Sequence, residues 1–274
     1  MSEFLLSTHC YHFLSVFFDN FVQVLKLIFY LFVLISAFNP SLITDLNDDC
    51  LYNIFKRLSV RDQLHLVKTC IRFRFIVKQM IWRNSFRETC TNSADMDELN
   101  YGEYQDVFRH TTEFMEKLTV ATNRHLVFQN PLIPQLCFEF PRLTSFKSND
   151  GRLHDDLMRL LAEKCPQLQR LDVCSRCITG AHIKNMRNLQ ELYLPYCSLT
   201  TEHLSDIIEC CVNLTRLNVS GFRNFRSALG TKKLPKLRYL QLSEEAALGG
   251  SFRDNFEYEH FETCVCDLKL WRDY

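Results

Sequence analysis

Cysteines and histidines are the side chains of this 274-residue chain best suited to hold a metal or attack an electrophile, at 13 and nine respectively. Cys174-Ser-Arg-Cys177 has the spacing of a zinc-ligand pair, and Cys264-Val-Cys266 lies near the end. A structural zinc site takes four ligands, as two such pairs or a pair with histidines. Cys174 and Cys177 sit at the end of a recurring strand pattern described below, where small buried residues belong, so they read as core thiols rather than ligands. The histidines are scattered, and none pairs with a Ser or Cys nucleophile in a motif. No glycine-rich phosphate loop and no Gly-x-Ser-x-Gly occur. No catalytic residue, metal or cofactor is therefore expected, and the chain is expected not to be an enzyme.

What remains is binding, and the apolar periodicity shows which elements carry it. Leu51, Ile54, Phe55 and Leu58 fall at i, i+3, i+4 and i+7, one stripe on a helix. Asp48 and Asp49 stand before it, where acidic oxygens can cap free N–H groups. Ser59 and Asp62 make a capping-box-like start, and Leu64, Val67 and Cys70 line the next stripe. Phe73, Ile76, Val77, Met80 and Ile81 give a third. Three such helices, of about 40 residues, are too few to close a core alone.

The ordered set Leu46, Ile54-Phe55, Leu58, Asp62-Gln-Leu64, Cys70-x-Arg72-Phe73 and Trp82 resembles an F-box, the helical module that docks a protein onto the adaptor of a cullin-based ubiquitin ligase. The family usually has Pro after the first Leu, where this chain has Asn47; Asn does not preset φ but caps well. The resemblance implies adaptor contacts through Leu46, Leu51, Ile54, Phe55, Leu58, Leu64, Cys70, Phe73 and Trp82.

After residue 110 a Leu-x-x-Leu-x-Leu pattern recurs. Clear copies are Leu168–Val173, Leu189–Leu194, Leu214–Val219 and Leu237–Leu242; weaker ones are Met115–Val120, Leu143–Ser148 and Val265–Leu270. Their starts advance by 28, 25, 21, 25, 23 and 28 residues, within the 20–29 of leucine-rich repeats. Helical halves lie between them, with Leu157, Leu160 and Leu161 in one and Leu204, Ile207, Ile208 and Cys211 in another. Ile178-Thr-Gly-Ala-His-Ile183 and Leu199-Thr-Thr-Glu-His-Leu204 are near copies. The repeats resemble the cysteine-containing subtype common in F-box proteins: Cys197 follows Leu194 by three, where that subtype places a buried Cys. Phe222 and Glu245 take that place in their units, and in the 168 unit the cysteine is one residue late, at Cys177.

The resemblance implies an α+β repeat protein: a small three-helix F-box followed by a curved α/β leucine-rich-repeat solenoid. Residues 1–38 form a hydrophobic N-terminal segment, 42–86 the F-box, 87–112 a connecting helical or loop segment, and 113–274 the repeats. In such a repeat the Leu positions point into the core and the intervening residues line the concave face. That makes Arg170, Asp172, Glu191, Tyr193, Arg216, Asn218, Tyr239 and Gln241 a continuous strip for binding a substrate.

Thirty-two basic and 32 acidic residues leave a formal net charge of zero, which argues against nucleic acid as the partner. An odd number of cysteines in apolar contexts fits reduced thiols in the cytoplasm or nucleus. Residues 21–38 are mostly apolar but only marginally long enough to span a bilayer; Lys26 interrupts them, and Met-Ser-Glu lacks the positive start of a secretory signal. A weak membrane anchor, a buried helix and an extension outside the working protein compete, with a peripheral or non-functional segment favoured. The expected function is substrate recognition within an SCF-type ubiquitin ligase, with adaptor, cullin and RING subunits as partners beside an unknown protein target. A scaffold without ubiquitin output, or a membrane-anchored version of the receptor, are the alternatives.

Overall fold

A computed structural model describes residues 43, 45–91, 96, 98–120, 140–149, 151–232 and 234–242. The hydrophobic stretch 21–38, the repeat copy Val265–Leu270, Glu245 and the Cys264/Cys266 pair lie outside these residues. No helix among the described residues is long and apolar enough to cross a membrane. The chain divides into two compact units, Met1–Phe55 and Lys56–Tyr274.

The described part of the first unit is chiefly helix α1, Asp48–Phe55. Its cap is Asn47, not Asp48 or Asp49: the Asn47 side-chain oxygen accepts the Cys50 N–H at 2.8 Å, and its carbonyl accepts the Leu51 N–H at 3.1 Å. The two aspartates sit inside the first turn, against the positive end of the helix dipole. The residue that replaces proline thus starts the helix by a different device.

The second unit opens with α2, Val60–Thr69, whose N-cap Ser59 accepts the Asp62 N–H while its hydroxyl donates to the Asp62 carboxylate at 2.8 Å. Cys70 then caps α3, Ile71–Phe75, its sulfur accepting the Phe73 N–H. The chain continues as a π-helical segment, Ile76–Trp82, into a last turn, α4, at Arg83–Ser85. An ordinary α-helical stripe was expected here. The i→i+5 pattern instead brings Trp82 back over Val77, and both are fully buried. The Trp82 indole N–H donates to Gln63 Oε1 at 2.6 Å, so a polar side chain of α2 is drawn into the core.

Helix α5, Tyr101–Thr111, closes this bundle and carries a full capping box from Asn100 and Glu103. Tyr104 and Phe108 stack at 4.8 Å, and His110 lies 6.4 Å from the Trp82 ring. Burial holds His110 below its usual pKa. Ion pairs Arg61–Glu103 (3.0 Å), Lys68–Asp106 (2.7 Å) and Lys78–Glu113 (3.3 Å) run along its flank. The Lys68 hydrogen bond holds the Asp106 carboxyl below its ordinary range.

The rest is an α/β region around a parallel sheet. Seven strands lie in chain order: β1 Glu88–Cys90, β2 Lys117–Val120, β3 Ser145–Ser148, β4 Arg170–Val173, β5 Glu191–Tyr193, β6 Arg216–Asn218 and β7 Tyr239–Gln241. Parallel neighbours require crossovers. Among the described residues these are α5, α6 (Asp155–Lys164), a 3₁₀ turn at Ile183–Asn185, α7 (Thr201–Cys210) and α8 (Phe225–Leu229); the β2–β3 connection lies mostly outside them. One register aligns Thr89, Leu118, Phe146, Leu171, Leu192, Leu217 and Leu240, all buried. The same backbone contact repeats at each step. Arg87, Glu116, Thr144, Gln169, Gln190 and Thr215 each offer one carbonyl to two successive N–H groups of the next unit.

The six pattern copies from 115 to 242 coincide with β2–β7. Strand β1 falls in residues 87–112, expected only to connect; Thr89 and Thr91 take the leucine places there. Helix α6 buries Met158 where Leu160 was expected, and Leu160 is half-exposed. Leu204, Ile207, Ile208 and Cys211 are all buried. Cys197 is buried and donates to the Val173 carbonyl. Cys177, in contrast, is exposed; the inward place in its unit belongs to Ser175, whose hydroxyl donates to the Gly151 and Leu153 carbonyls at 2.8 and 2.7 Å.

Two pairs of substitutions test this core. Leu192→Ala, at a site without accessible surface, should cost ~2–5 kcal/mol in urea unfolding, whereas Val212→Ala at an exposed site should stay within about 0.5 kcal/mol. Equal costs would contradict the assigned register. Gln63→Leu leaves a buried indole N–H unpaired and should cost ~1–3 kcal/mol. In a Trp82→Phe background the same change should cost about 1 kcal/mol less; identical costs in both backgrounds would mean the hydrogen bond contributes nothing.

Candidate functional site: two protein-interaction surfaces

The expected adaptor contacts of the first unit lie on and before α1. Leu51 and Phe55 have no accessible surface, Leu46 is half-buried, and Ile54 is exposed. The stripe read from the sequence is therefore two-sided: Leu51 and Phe55 point inward, and Ile54 faces solvent. In the second unit Leu64 and Trp82 are fully buried, Phe73 is buried, Leu58 is half-buried and Cys70 is exposed.

Five of the nine expected contact residues, Leu51, Phe55, Leu64, Phe73 and Trp82, are thus core residues rather than parts of an open docking face. Their large apolar side chains satisfy helical periodicity because the core needs them. The sequence reasoning missed Ile71 and Phe75, which are 83% and 55% exposed. They stand at i and i+4 on α3, on one face. The available signal was that neither belongs to the buried stripe Phe73, Ile76, Val77 and Ile81, although both are large and apolar.

The second surface is built by the sheet. Strand register places Arg170, Glu191, Arg216 and Tyr239 in one row, and Asp172, Tyr193, Asn218 and Gln241 in the next. All eight residues of the expected strip therefore come together. They are coupled to one another. Arg170 pairs with Glu191 at 2.9 Å and Asp172 at 3.6 Å, and lies 4.8 Å over the Tyr193 ring. Lys147 extends the network to Asp172 at 3.6 Å. Arg216 approaches Glu191 at 3.7 Å, and Tyr193 followed by Glu191 raises its guanidinium further above its usual value.

At the other end, Tyr239 donates its hydroxyl to Gln241 Oε1 at 2.9 Å, and Asn218 donates its amide to the same oxygen at 2.8 Å. Asn218 Oδ1 accepts the N–H and hydroxyl of Ser220. Asn218 and Gln241 are buried. These two expected substrate contacts hold the surface from beneath instead of lining it, because each amide is consumed inside the molecule. The accessible strip is Arg170, Asp172, Glu191, Tyr193, Arg216 and Tyr239.

Four of the described thiols are held protonated by their surroundings. Burial pushes Cys165 and Cys211 up to about 12 and Cys197 up to about 11. Burial, followed by the charge of Asp172, raises Cys174. Among the described residues no three His, Cys, Asp or Glu side chains gather where they could hold a metal ion.

Comparison with the curated proteins finds no match to the chain. The sequence model of one family, the F-box domain, matches residues 43–84, the span of α1 through the π-helical segment into α4. This chain carries an F-box domain, and that domain implies binding to the adaptor of an SCF-type ubiquitin ligase.

Proposed function

We propose that this chain is a substrate-recognition subunit of an SCF-type E3 ubiquitin ligase, with no catalytic step of its own. The observation that carries the proposal is an F-box domain at residues 43–84 followed by a parallel sheet whose strip residues stack in register. The sheet is read as a leucine-rich-repeat array. Its repeat spacing, its buried leucine column and its recurring carbonyl contact support that reading. The F-box holds the adaptor, the adaptor holds cullin and RING subunits, and the strip holds a target destined for the proteasome. The contribution to rate is proximity: a tethered target meets the charged ubiquitin carrier at high effective concentration. Thirteen cysteines, with all nine of the described ones free, suit the reducing cytoplasm or nucleus.

On the adaptor side the contacts are the open apolar residues: Ile54 on α1, Ile71 and Phe75 on α3, with Leu46, Leu58 and Cys70 beside them in sequence. Exposed apolar side chains of this size serve as interface anchors, each costing about 2 kcal/mol or more when lost. Ile71→Glu with Phe75→Glu should reduce adaptor capture at least tenfold, as should Ile54→Glu, without lowering the unfolding midpoint. Undiminished adaptor pull-down by both variants would refute the assignment.

On the target side, tyrosine and arginine supply large contact area with polar tips. Tyr193→Ala, Arg216→Ala and Tyr239→Ala together should stop ubiquitination of targets captured with the wild-type chain under proteasome inhibition. Adaptor and cullin should still co-purify, with a stability loss of about 1–2 kcal/mol from the removed hydrogen bonds. Normal target turnover in the triple variant would refute the strip. Failure of cullin to co-purify with the wild-type chain would reduce the protein to a binding scaffold.

A further inference from the structure

The N-terminal ends of β1–β3, the π-helical segment and α4 flank an open cleft of about 550 Å³ in the second unit. Its walls are Gln79, Arg83, Asn84, Arg87, Phe114, Glu116 and Arg142. The repeated backbone step brings the sheet side together, since the Arg87 carbonyl accepts from Glu116 and Lys117 and the Glu116 carbonyl accepts from Thr144 and Ser145. Arg87 and Glu116 are joined side by side, at 3.1 and 2.8 Å. Arg83 and Arg142 have no such partner: neither side chain hydrogen-bonds or ion-pairs with another described residue. Arg142 acts on Glu116 only from beyond ion-pair distance.

Three arginines and one glutamate leave the cleft at +3 − 1 = +2 on a chain whose formal net charge is zero. The charges of Arg83 and Arg142 serve no fold contact described above. A planar guanidinium presents a fork of donors matched to oxyanions, and two forks without a partner among the described residues, with the Gln79 and Asn84 amides beside them, suit an anion with several acceptor oxygens. A phosphate monoester carries close to −2 at neutral pH and three acceptor oxygens, whereas a carboxylate would leave one arginine uncompensated. The volume lies within the range that holds a small organic group, not a bare ion alone. We propose that Arg83 and Arg142, with Arg87 fixed by Glu116 and with Gln79 and Asn84 as neutral donors, form a binding site for a phosphate monoester. The site is distinct from the exposed apolar residues of α1 and α3 and from the β4–β7 strip, and the proposal stands independently of the ligase assignment.

The test uses the full chain and a fluorescein-labelled Gly/Ser hexapeptide centred on phosphoserine, read by anisotropy at low salt, with the unphosphorylated peptide as its twin. The phosphopeptide should bind at least about tenfold tighter than its twin. R83Q/R142Q should remove that difference, R83K/R142K should keep part of it, and R159Q on α6 should change nothing. Inorganic phosphate separates the sources: competition only at far higher concentration than the peptide assigns the phosphate to a protein segment, and competition at comparable concentration assigns it to free phosphate esters. Equal binding of the two peptides, or an unchanged difference in R83Q/R142Q, overturns the site. Should R83Q/R142Q melt earlier than wild type, R142Q alone decides, and full retention of the difference in that variant overturns the proposal.

Discussion

The described α/β region hangs on the register of a ladder whose strands are only three or four residues long. A strand of that length cannot bury a useful area alone, so each unit is folded only as far as its neighbours cover it. The column from Thr89 to Leu240 is that shared cover. The doubly used carbonyl before each strand fixes the step, since the next unit must present two consecutive N–H groups to it. A slip of one residue would exchange the leucine column for Arg170, Glu191, Arg216 and Tyr239, because side chains alternate along a strand. Burying that row would strand several charges, so a single register is enforced from both faces.

The same register accounts for the character of the outer face. Alternate positions of parallel neighbours stack directly, so any charge placed on one strand is answered or opposed by the next. Arg170, Glu191 and Arg216 alternate in sign along one row, and Lys147 meets Asp172 in the other. Each pair is substantially exposed and contributes little to stability on its own. Their effect is on conformation: the long side chains hold one another in place, which lowers the rotamer entropy they retain. Beyond Arg216, which is 56% exposed at its side chain, the network passes into the buried amides of Asn218 and Gln241.

Legibility in the sequence followed the regularity of the pattern. Strands β2–β7 were marked by leucines or close substitutes at fixed spacing, and the helical module by three stripes and its caps. β1 was not, because Thr89 and Thr91 fill small inward places without the apolar signature. The strip was found as a set because alternation along a strand places every second residue on one face. The burial of Asn218 and Gln241 was invisible, since it follows from a mutual hydrogen bond between units. The π-helical turn was equally hidden: Phe73, Ile76, Val77 and Ile81 fit an α-helical stripe, and only the placement of Trp82 against Gln63 reveals the wider turn.

The helical surface illustrates the limit most plainly. Periodicity identifies which residues a helix buries, and a resemblance identifies which positions a family uses, but the two overlap on the same leucines and phenylalanines. Once α5 covers the second unit's helices, with Tyr104, Val107 and Phe108 buried on its inner face, Leu64 and Trp82 are spent on the core. What is left to a partner is the set of apolar residues that the core did not claim. Ile71 and Phe75 fit that description because the turn capped by Cys70 starts α3 with its Phe73 inward and these two outward. An apolar side chain that periodicity leaves over is ordinary when it stands alone and informative only beside another. Ile71 and Phe75, one turn apart on α3, are such a pair, and periodicity alone leaves them open.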